Sequence, residues 1–230
     1  MSLPAKFPRT PILCYVTDRQ SLSIAPSENH PSLMDLIGAA TAAGVDWIQI
    51  REKNLSAREI SPLVREAVSL AKLSSRTDRT TRILVNDRLD VALAEQADGV
   101  HLGENSLPVQ NVSRWIGSHA NRSGLQEFLV GVSCHSLAGA TQAERDGADY
   151  IFFGPVFATP SKADFGAPQG LNRLKEVCIA VSLPVLAIGG ITLENASSCL
   201  KAGAAGLAAI RLFQDDADLP ARIEQLRRCK

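Results

Sequence analysis

The sequence predicts an α/β fold, a single (β/α)8 barrel (TIM barrel) with parallel strands that takes up residues 1–230. Eight short apolar runs alternate with eight segments of helical periodicity, and continuous apolar strands are typical of parallel sheets buried on both faces. A short glycine- and alanine-containing pattern also recurs four times at nearly even spacing. The turn after the first strand, Thr17–Gln20, contains no glycine, which disfavours the competing open doubly wound sheet.

The predicted elements follow one another without a linker. The strands are Ile12–Thr17, Trp47–Arg51, Arg82–Asn86, Gly99–Leu102, Leu129–Ser133, Tyr150–Phe153, Val185–Ile188 and Gly206–Ile210. The helices are Leu33–Ala43, Ala57–Leu73, Leu89–Gln96, Val109–Ile116, Leu137–Asp146, Leu171–Val181, Leu193–Ala202 and Asp218–Arg228. Three polar stretches, Gln20–Pro31, Ser74–Thr81 and Ser118–Glu127, are interpreted as insertions, and residues 1–10 as a flexible N-terminal tail.

The recurring pattern marks the entry into every second strand. Its copies align on Asp46, Asp98, Asp149 and Ala205, which are 52, 51 and 56 residues apart. Small residues allow each helix to turn tightly into the next strand. Four copies of a (βα)2 unit predict a closed eight-stranded ring.

Composition excludes several classes of protein. Hydrophobic residues make up 45% of the chain, and 24 Lys and Arg balance 24 Asp and Glu. A zero net charge argues against nucleic-acid binding, because phosphate neutralisation needs surplus cations. No run approaches the roughly 20 apolar residues of a membrane span. Five scattered cysteines without metal-ligand spacing fit reduced thiols, so we expect a cytoplasmic protein, with homo-oligomerisation left open.

Polar residues gather at the predicted carboxyl-terminal strand ends, where barrels carry their active sites. Strand alternation places Gln49, Arg51 and Lys53 on one inward face, and two cations with an amide favour an anion such as diphosphate. A salt-bridge network with Glu52 is the alternative. Gly189-Gly190 and Ile210-Arg211 end strands seven and eight, where barrels commonly bind phosphate, although Gly-Gly alone also fits a tight turn.

Three further groups are candidates for chemistry. Asp87, after Asn86, suits Mg²⁺ beside a diphosphate, or alternatively caps the next helix. His101 and His135 end strands four and five and are candidate acid–base groups, or alternatively histidines hydrogen-bonded to a loop. The loop from Thr159 to Gly170, which carries Ser161 and Lys162, suits a flap that closes over substrate.

Seven motifs in order resemble one known family, from strand one to strand eight. They are Gln49-Ile50-Arg51-Glu52-Lys53, Asn86-Asp87-Arg88-Leu89-Asp90, Asp98-Gly99-Val100-His101-Leu102-Gly103, Gly131-Val132-Ser133-Cys134-His135, Gly147-Ala148-Asp149-Tyr150, Gly154-Pro155-Val156-Phe157 and Ala187-Ile188-Gly189-Gly190-Ile191. Together they resemble the thiamine-phosphate synthase/TenI family of (β/α)8 barrels. The resemblance implies thiamine biosynthesis by one of two reactions.

The synthase joins 4-amino-2-methyl-5-pyrimidinylmethyl diphosphate to thiazole phosphate and releases pyrophosphate with Mg²⁺. The TenI relative is a thiazole tautomerase that needs no metal. The resemblance implies that Asp87 is a metal ligand and that thiazole phosphate binds at Thr159–Ser161, Gly190 and the end of strand eight. The pyrimidine-diphosphate contacts it implies are Gln49, Arg51, Lys53, Asn86, Ser133 and Lys162.

Two departures from the synthase pattern leave alternatives open. Ser106 stands where the synthase has its second metal carboxylate, and Glu104 is a displaced substitute. Arg211 stands where the family usually has serine. His135 matches the acid–base residue proposed for the tautomerase. Six retained contacts against one lost ligand favour the synthase over the tautomerase, and a non-catalytic thiazole-phosphate-binding barrel is the third reading.

Overall fold

The computed structural model describes residue 7 and residues 11–22, 31–73, 81–103, 105–159, 167–215 and 218–229, with backbone alone for 121–123. Eight parallel strands close into a barrel in chain order, with the first strand paired to the eighth. The strands are β1 Ile12–Val16, β2 Trp47–Ile50, β3 Arg82–Asn86, β4 Gly99–Leu102, β5 Leu129–Cys134, β6 Tyr150–Phe153, β7 Val185–Ile188 and β8 Gly206–Ala209. The predicted fold is confirmed.

Helices alternate with the strands around the outside of the barrel. They are α1 Leu33–Ala43, α2 Ala57–Leu73, α3 Leu89–Ala94, α4 Val109–Ser123, α5 Leu137–Arg145, α6 Gly170–Ala180, α7 Leu193–Lys201, α8 Arg211–Gln214 and α9 Leu219–Arg228, with a 3-10 turn at Arg19–Ser21. Within the described residues, no helix combines the length and apolar character needed to cross a membrane.

Several predicted element boundaries were wrong, including the ends of β1, β5 and β8, and three differences bear most on the fold and the site. α4 continues to Ser123, so much of the predicted insertion Ser118–Glu127 is helix that ends on Gly124 in a left-handed conformation. The short helix α8 begins at Arg211, where only a strand end was predicted. β2 ends at Ile50, one residue before the predicted Arg51. Each error lies at an element boundary, where local sequence patterns are weakest.

Two apolar cores follow from the alternation along each strand. The smaller one fills the barrel and contains Trp47, Tyr150 and Phe152. The larger one lies between the strands and the surrounding helices. Phe7 closes the amino-terminal end of the barrel with its ring centroid 6.0 Å from that of Trp47. The rest of the predicted N-terminal tail lies outside the described residues.

The repeated aspartates stabilise the starts of the odd-numbered strands. Each carboxylate accepts a hydrogen bond from a backbone N–H near the start of the preceding strand, at 2.7–2.8 Å. The pairs are Asp46 with Leu13, Asp98 with Ile83 and Asp149 with Val130. Asp46 also pairs with Arg227 of α9 at 2.7 Å. The residues of the four-fold pattern therefore lie at the amino-terminal rim, where they stabilise the fold. Active sites of such barrels lie at the opposite, carboxyl-terminal rim.

Candidate active site

Two hydrogen-bonded pairs of polar side chains, here called the polar row, lie on neighbouring strands at the carboxyl-terminal mouth of the barrel. Gln49 Nε2 donates to Asn86 Oδ1 at 3.1 Å, which joins the ends of β2 and β3. Asn86 pairs in register with His101 of β4, and His101 Nε2 lies 2.9 Å from Ser133 Oγ of β5. These four side chains, all predicted from the sequence, are thus brought together because their positions on neighbouring strands point inward.

Arg51 is fixed at the mouth through its backbone. Its N–H donates to Thr17 Oγ1 at 2.9 Å, and the Thr17 hydroxyl donates to Glu52 Oε1 at 2.6 Å. Burial lowers the pKa of Arg51, while Asp18 and Glu52 act in the opposite direction. The Arg51 charge also contributes to lowering the pKa of His101. Arg51 thus directly follows β2 at the carboxyl-terminal end of the barrel, and its role at an anion site stays a prediction.

Glu52 is buried and stabilises the turn after β1 rather than facing the mouth of the barrel. Its carboxylate accepts hydrogen bonds from the Thr17 hydroxyl and the Arg19 backbone N–H, and burial raises its pKa. An ion pair joins it to Arg19 at 3.7 Å. The ion pair of Glu52 is thus with Arg19, and the salt-bridge alternative for Arg51 and Lys53 stays a hypothesis. Because the Glu52 carboxylate is held by Arg19 and Thr17, Glu52 does not have to pair with the guanidinium of its neighbour Arg51.

His101 is buried between polar and aromatic neighbours. Its Nδ1 lies 3.1 Å from the Tyr150 hydroxyl, and its ring centroid lies 4.2 Å from that of Phe152. Burial, with a smaller contribution from Arg51, lowers the pKa of His101 to about 3. The imidazole is therefore neutral over the physiological range, which makes His101 a hydrogen-bonding group rather than a charged one.

This pKa predicts an acid-sensitive contribution to stability. In the unfolded chain His101 takes up a proton below about pH 6.5, whereas in the folded chain it does so only near pH 3. The unfolded state binds more protons between these values, so the free energy of unfolding falls as pH falls through this window. At pH 5 we expect His101 to account for a loss of about 2 kcal/mol relative to pH 7.5.

Urea unfolding of the wild type and of His101→Gln at both pH values measures this contribution. Carboxylates also titrate over part of the range, and the comparison with the variant removes their effect. The variant should lose about 2 kcal/mol less than the wild type on acidification. An equal loss in both proteins would contradict the assignment.

Asp87 presents an exposed carboxylate beside the polar row. Its φ of 68° is in the left-handed region, which is uncommon for a residue with a Cβ and often marks a functional site. The Ser106 hydroxyl donates to Asp87 Oδ1 and accepts the backbone N–H of Gly103 at 2.6 Å. α3 has Arg88 at its N-cap position with no side-chain cap, so Asp87 does not cap this helix.

The donors around Asp87 fit Mg²⁺ held mainly by a substrate. Among the described residues, no three His, Cys, Asp or Glu side chains cluster in a way that could hold a metal by themselves. Mg²⁺ commonly uses one or two carboxylates together with phosphate oxygens and water. Asp87 supplies one such carboxylate, with the Ser106 hydroxyl against it, so a diphosphate would have to supply further ligands. Glu104, the displaced candidate, lies outside the described residues.

Backbone turns form the rim at β7 and β8. Gly189 and Gly190 have φ of 93° and 65°, and a Cβ on Gly190 would stand 2.6 Å from the Ala158 carbonyl oxygen. The loop after β6 thus lies directly against the glycines. Ile188 pairs with Ala208, so the turn adjoins the exit of β8, where Ile210 is half-buried and Arg211 is exposed. The predicted phosphate residues therefore lie on adjacent strand exits.

The remaining candidates are placed less centrally. Lys53 lies exposed in a turn, because β2 ends before the alternation that would point it inward. The His135 ring is half-buried, with Nδ1 hydrogen-bonded to the Gly154 carbonyl oxygen. Thr159 is half-buried at the last described position before the predicted flap. Ser161 and Lys162 lie outside the described residues. The roles of these five residues, like those of the other candidate site residues, remain predictions.

Sequence reasoning missed two side chains that organise this mouth. Tyr150, which looks like an ordinary core residue, reaches His101 because Gly131 on the neighbouring strand leaves room for its ring. Thr17 was noted only as a strand-end residue, yet it fixes both Arg51 and Glu52. The glycine opposite the tyrosine was the available signal, but it depends on strand register, which local sequence does not give.

Comparison with known proteins agrees with this fold. A family model described as "Thiamine monophosphate synthase" matches residues 13–213. A protein named thiamine-phosphate synthase from Chloroflexus aurantiacus is 43% identical over 84% of this chain and 82% of its own length. One of the same name from Methanoculleus marisnigri is 45% identical over 84% of this chain and 85% of its own length.

A solved structure is also similar to this chain over nearly its whole length. Thiamine phosphate pyrophosphorylase from Pyrococcus furiosus superposes with a TM-score of 0.77 at 32% sequence identity, covering 95% of each chain. FabK from Thermotoga maritima, at 17% identity and a TM-score of 0.60, shares the fold alone. The sequence matches span nearly the whole barrel, including every strand end described above. The chain therefore belongs to the thiamine monophosphate synthase family.

Proposed function

We propose that this protein joins 4-amino-2-methyl-5-pyrimidinylmethyl diphosphate to thiazole phosphate, forming thiamine phosphate and pyrophosphate. The observation that carries the proposal is the two hydrogen-bonded pairs Gln49–Asn86 and His101–Ser133 at the strand ends, with Arg51 directly after β2. A row of amide, hydroxyl and imidazole groups next to a cation suits a polar heterocycle linked to an anion. The names of relatives above 40% identity support the same reaction.

In the proposed reaction the bond between the pyrimidine methylene carbon and the diphosphate oxygen breaks. The electron pair leaves with pyrophosphate, and the thiazole nitrogen supplies the pair for the new carbon–nitrogen bond. Arg51 stabilises the charge that grows on the departing pyrophosphate, and Lys53 and Lys162 would add to this. Gln49, Asn86 and Ser133 would hold the pyrimidine in line with the thiazole.

Asp87 would hold Mg²⁺ together with the diphosphate. The metal would neutralise phosphate charge and so make pyrophosphate a better leaving group. Because Asp87 is exposed, the site needs the substrate to complete it. On the opposite side of the mouth, Gly189, Gly190, Ile210 and Arg211 would bind the thiazole phosphate, with Thr159 and Ser161 from the adjoining loop. A cytoplasmic location fits this reaction of soluble, charged substrates.

Incubation with both substrates, with and without Mg²⁺, tests the function. We expect thiamine phosphate and pyrophosphate in equal amounts, and only when the metal is present. If neither forms and a non-aromatic thiazole isomer is turned over, with loss of that activity in His135→Ala, the tautomerase is correct. Binding of thiazole phosphate without either reaction would indicate a non-catalytic barrel.

Replacing Ser106 by aspartate is expected to strengthen metal binding. The serine hydroxyl already contacts the Asp87 carboxylate, so Ser106→Asp adds a second anionic oxygen donor at that point. Divalent-cation affinity rises with the number of anionic ligands, and we expect the Mg²⁺ concentration for half-maximal activity to fall about ten-fold. Calorimetric titration with Mg²⁺ and pyrophosphate gives an activity-independent measure. Unchanged affinity would mean that the metal does not bind beside Asp87.

A further inference from the structure

The interior of the barrel contains a second organised group directly beneath the polar row. Tyr150 of β6 is fully buried, and its ring lies 4.7 Å from that of Trp47 and 5.4 Å from that of Phe152, measured between centroids. Its hydroxyl reaches His101 Nδ1 at 3.1 Å. From His101 the contacts continue to Ser133 Oγ at 2.9 Å, so three side chains on β6, β4 and β5 form one chain.

The direction of these hydrogen bonds is set at the buried end. Among the described residues, His101 Nδ1 is the hydrogen-bond partner of the Tyr150 hydroxyl. If Nδ1 carried the imidazole proton, it would donate to the phenol oxygen, and the phenol proton would have no acceptor in this aromatic surrounding. If the phenol donates to Nδ1, both groups are satisfied. A buried donor without an acceptor is disfavoured, so the second arrangement prevails.

The direction at the buried end determines the one at the mouth. A neutral imidazole carries one proton, so acceptance at Nδ1 leaves that proton on Nε2. Nε2–H then donates to Ser133 Oγ, which leaves the serine's own proton for another acceptor. Ser133 is half-buried at the mouth, where a substrate oxygen or ring nitrogen can supply that acceptor.

We propose that Tyr150 is a positioning residue that acts through His101 to orient the Ser133 hydroxyl as a hydrogen-bond donor to the substrate. The ligand part of this inference rests on the proposed function, whereas the proton arrangement does not. Tyr150 itself does not contact the mouth. Its effect on binding therefore passes through the imidazole and depends on Ser133.

The tautomer of His101 is measured directly by ¹⁵N NMR of the unliganded wild-type protein. The chain has four histidines, and the His101 signals are assigned by their loss in His101→Gln. We expect Nε2 to carry the proton and Nδ1 to give the signal of an unprotonated, hydrogen-bonded nitrogen. A proton on Nδ1 would overturn the proposal. This measurement needs neither a substrate nor a Tyr150 variant that folds.

A double-mutant cycle tests whether Tyr150 acts through Ser133. Calorimetry with the pyrimidine diphosphate and Mg²⁺, without thiazole phosphate, is carried out on the wild type, Tyr150→Phe, Ser133→Ala and the double variant. Tyr150→Phe should weaken binding about five- to ten-fold in the wild-type background, and less than about two-fold when Ser133 is alanine. Equal weakening in both backgrounds would indicate a structural effect and overturn the proposal.

Tyr15 provides a matched control. It is also a buried tyrosine whose hydroxyl donates one hydrogen bond, to Gln214 Oε1 at 3.1 Å, but it lies on the outer side of the barrel wall. Tyr15→Phe removes the same atom and should leave pyrimidine-diphosphate affinity within about two-fold. If wild-type protein does not bind the pyrimidine diphosphate at all, the proposed function fails, and the NMR result still decides the proton arrangement.

Discussion

Arg51→Gln is expected to lower kcat/KM for the pyrimidine diphosphate by about 10²- to 10³-fold, the largest loss of activity predicted for a described residue. Arg51 directly follows β2, and the Thr17 hydroxyl holds the backbone from which its guanidinium projects. Charge accumulates on pyrophosphate as the carbon–oxygen bond breaks. Loss of this cation should therefore lower kcat as well as raise KM.

Two further variants distinguish the effect of the Arg51 charge from the effect of its guanidinium shape and from a general loss of a nearby cation. Arg51→Lys keeps the charge but not the planar fork that binds two phosphate oxygens, and should recover part of the loss. Arg19→Gln removes the cation paired with Glu52 at 3.7 Å on the scaffold side, and should stay within about two-fold of wild type. The assay is pyrophosphate release under saturating Mg²⁺. Loss confined to KM in Arg51→Gln would show that Arg51 binds substrate without aiding its departure.

Gly131→Ala is expected to destabilise the folded protein by about 3 kcal/mol or more. A Cβ at this position would stand 1.9 Å from Tyr150 Cζ, and the ring cannot move aside because it packs against Trp47 and Phe152. For a chain of this size the loss corresponds to a fall in Tm of about 6–12 °C. Displacement of Tyr150 would also break its hydrogen bond to His101.

Gly117→Ala is the control for this substitution. Gly117 lies within α4, and a Cβ there would meet no atom within 4 Å. Alanine is the better helix former, so the free energy of unfolding should rise by up to about 1 kcal/mol. Both variants are compared by thermal unfolding at one pH and one protein concentration. A Tm for Gly131→Ala within about 2 °C of wild type would show that the barrel interior has room for the methyl group.

Most of the architecture was predictable because its signals are local. Each parallel strand is buried on both faces, so it appears as a short apolar run such as Tyr150–Phe153. The repeated Asp46, Asp98 and Asp149 fixed the period of the barrel, and the structure gives them a physical role at strand starts. The polar residues that follow strands were equally visible. Their chain positions alone predict one rim, because all strands of the barrel run in the same direction.

The contacts within the site were less predictable because they depend on register and on where strands end. Alternation correctly places Gln49 inward but cannot be extended to Lys53, since β2 ends at Ile50. The sequence shows that Ser106 replaces a carboxylate of the resembled family. Only the fold shows that its hydroxyl contacts Asp87. The two residues lie on successive strand-to-helix connections, and no local pattern relates them.

The sequence by itself determined a barrel without net charge and with a polar carboxyl-terminal rim. The balanced charges, the eight apolar runs and the polar residues that follow them were sufficient for this. Strand periodicity suffices for this because each strand's inward and outward faces are defined by its own residues. The tertiary structure decided which rim residues share hydrogen bonds, and above all that Tyr150 meets His101 across the space left by Gly131. Such contacts depend on the relative shift of neighbouring strands, and closure of the whole barrel fixes that shift.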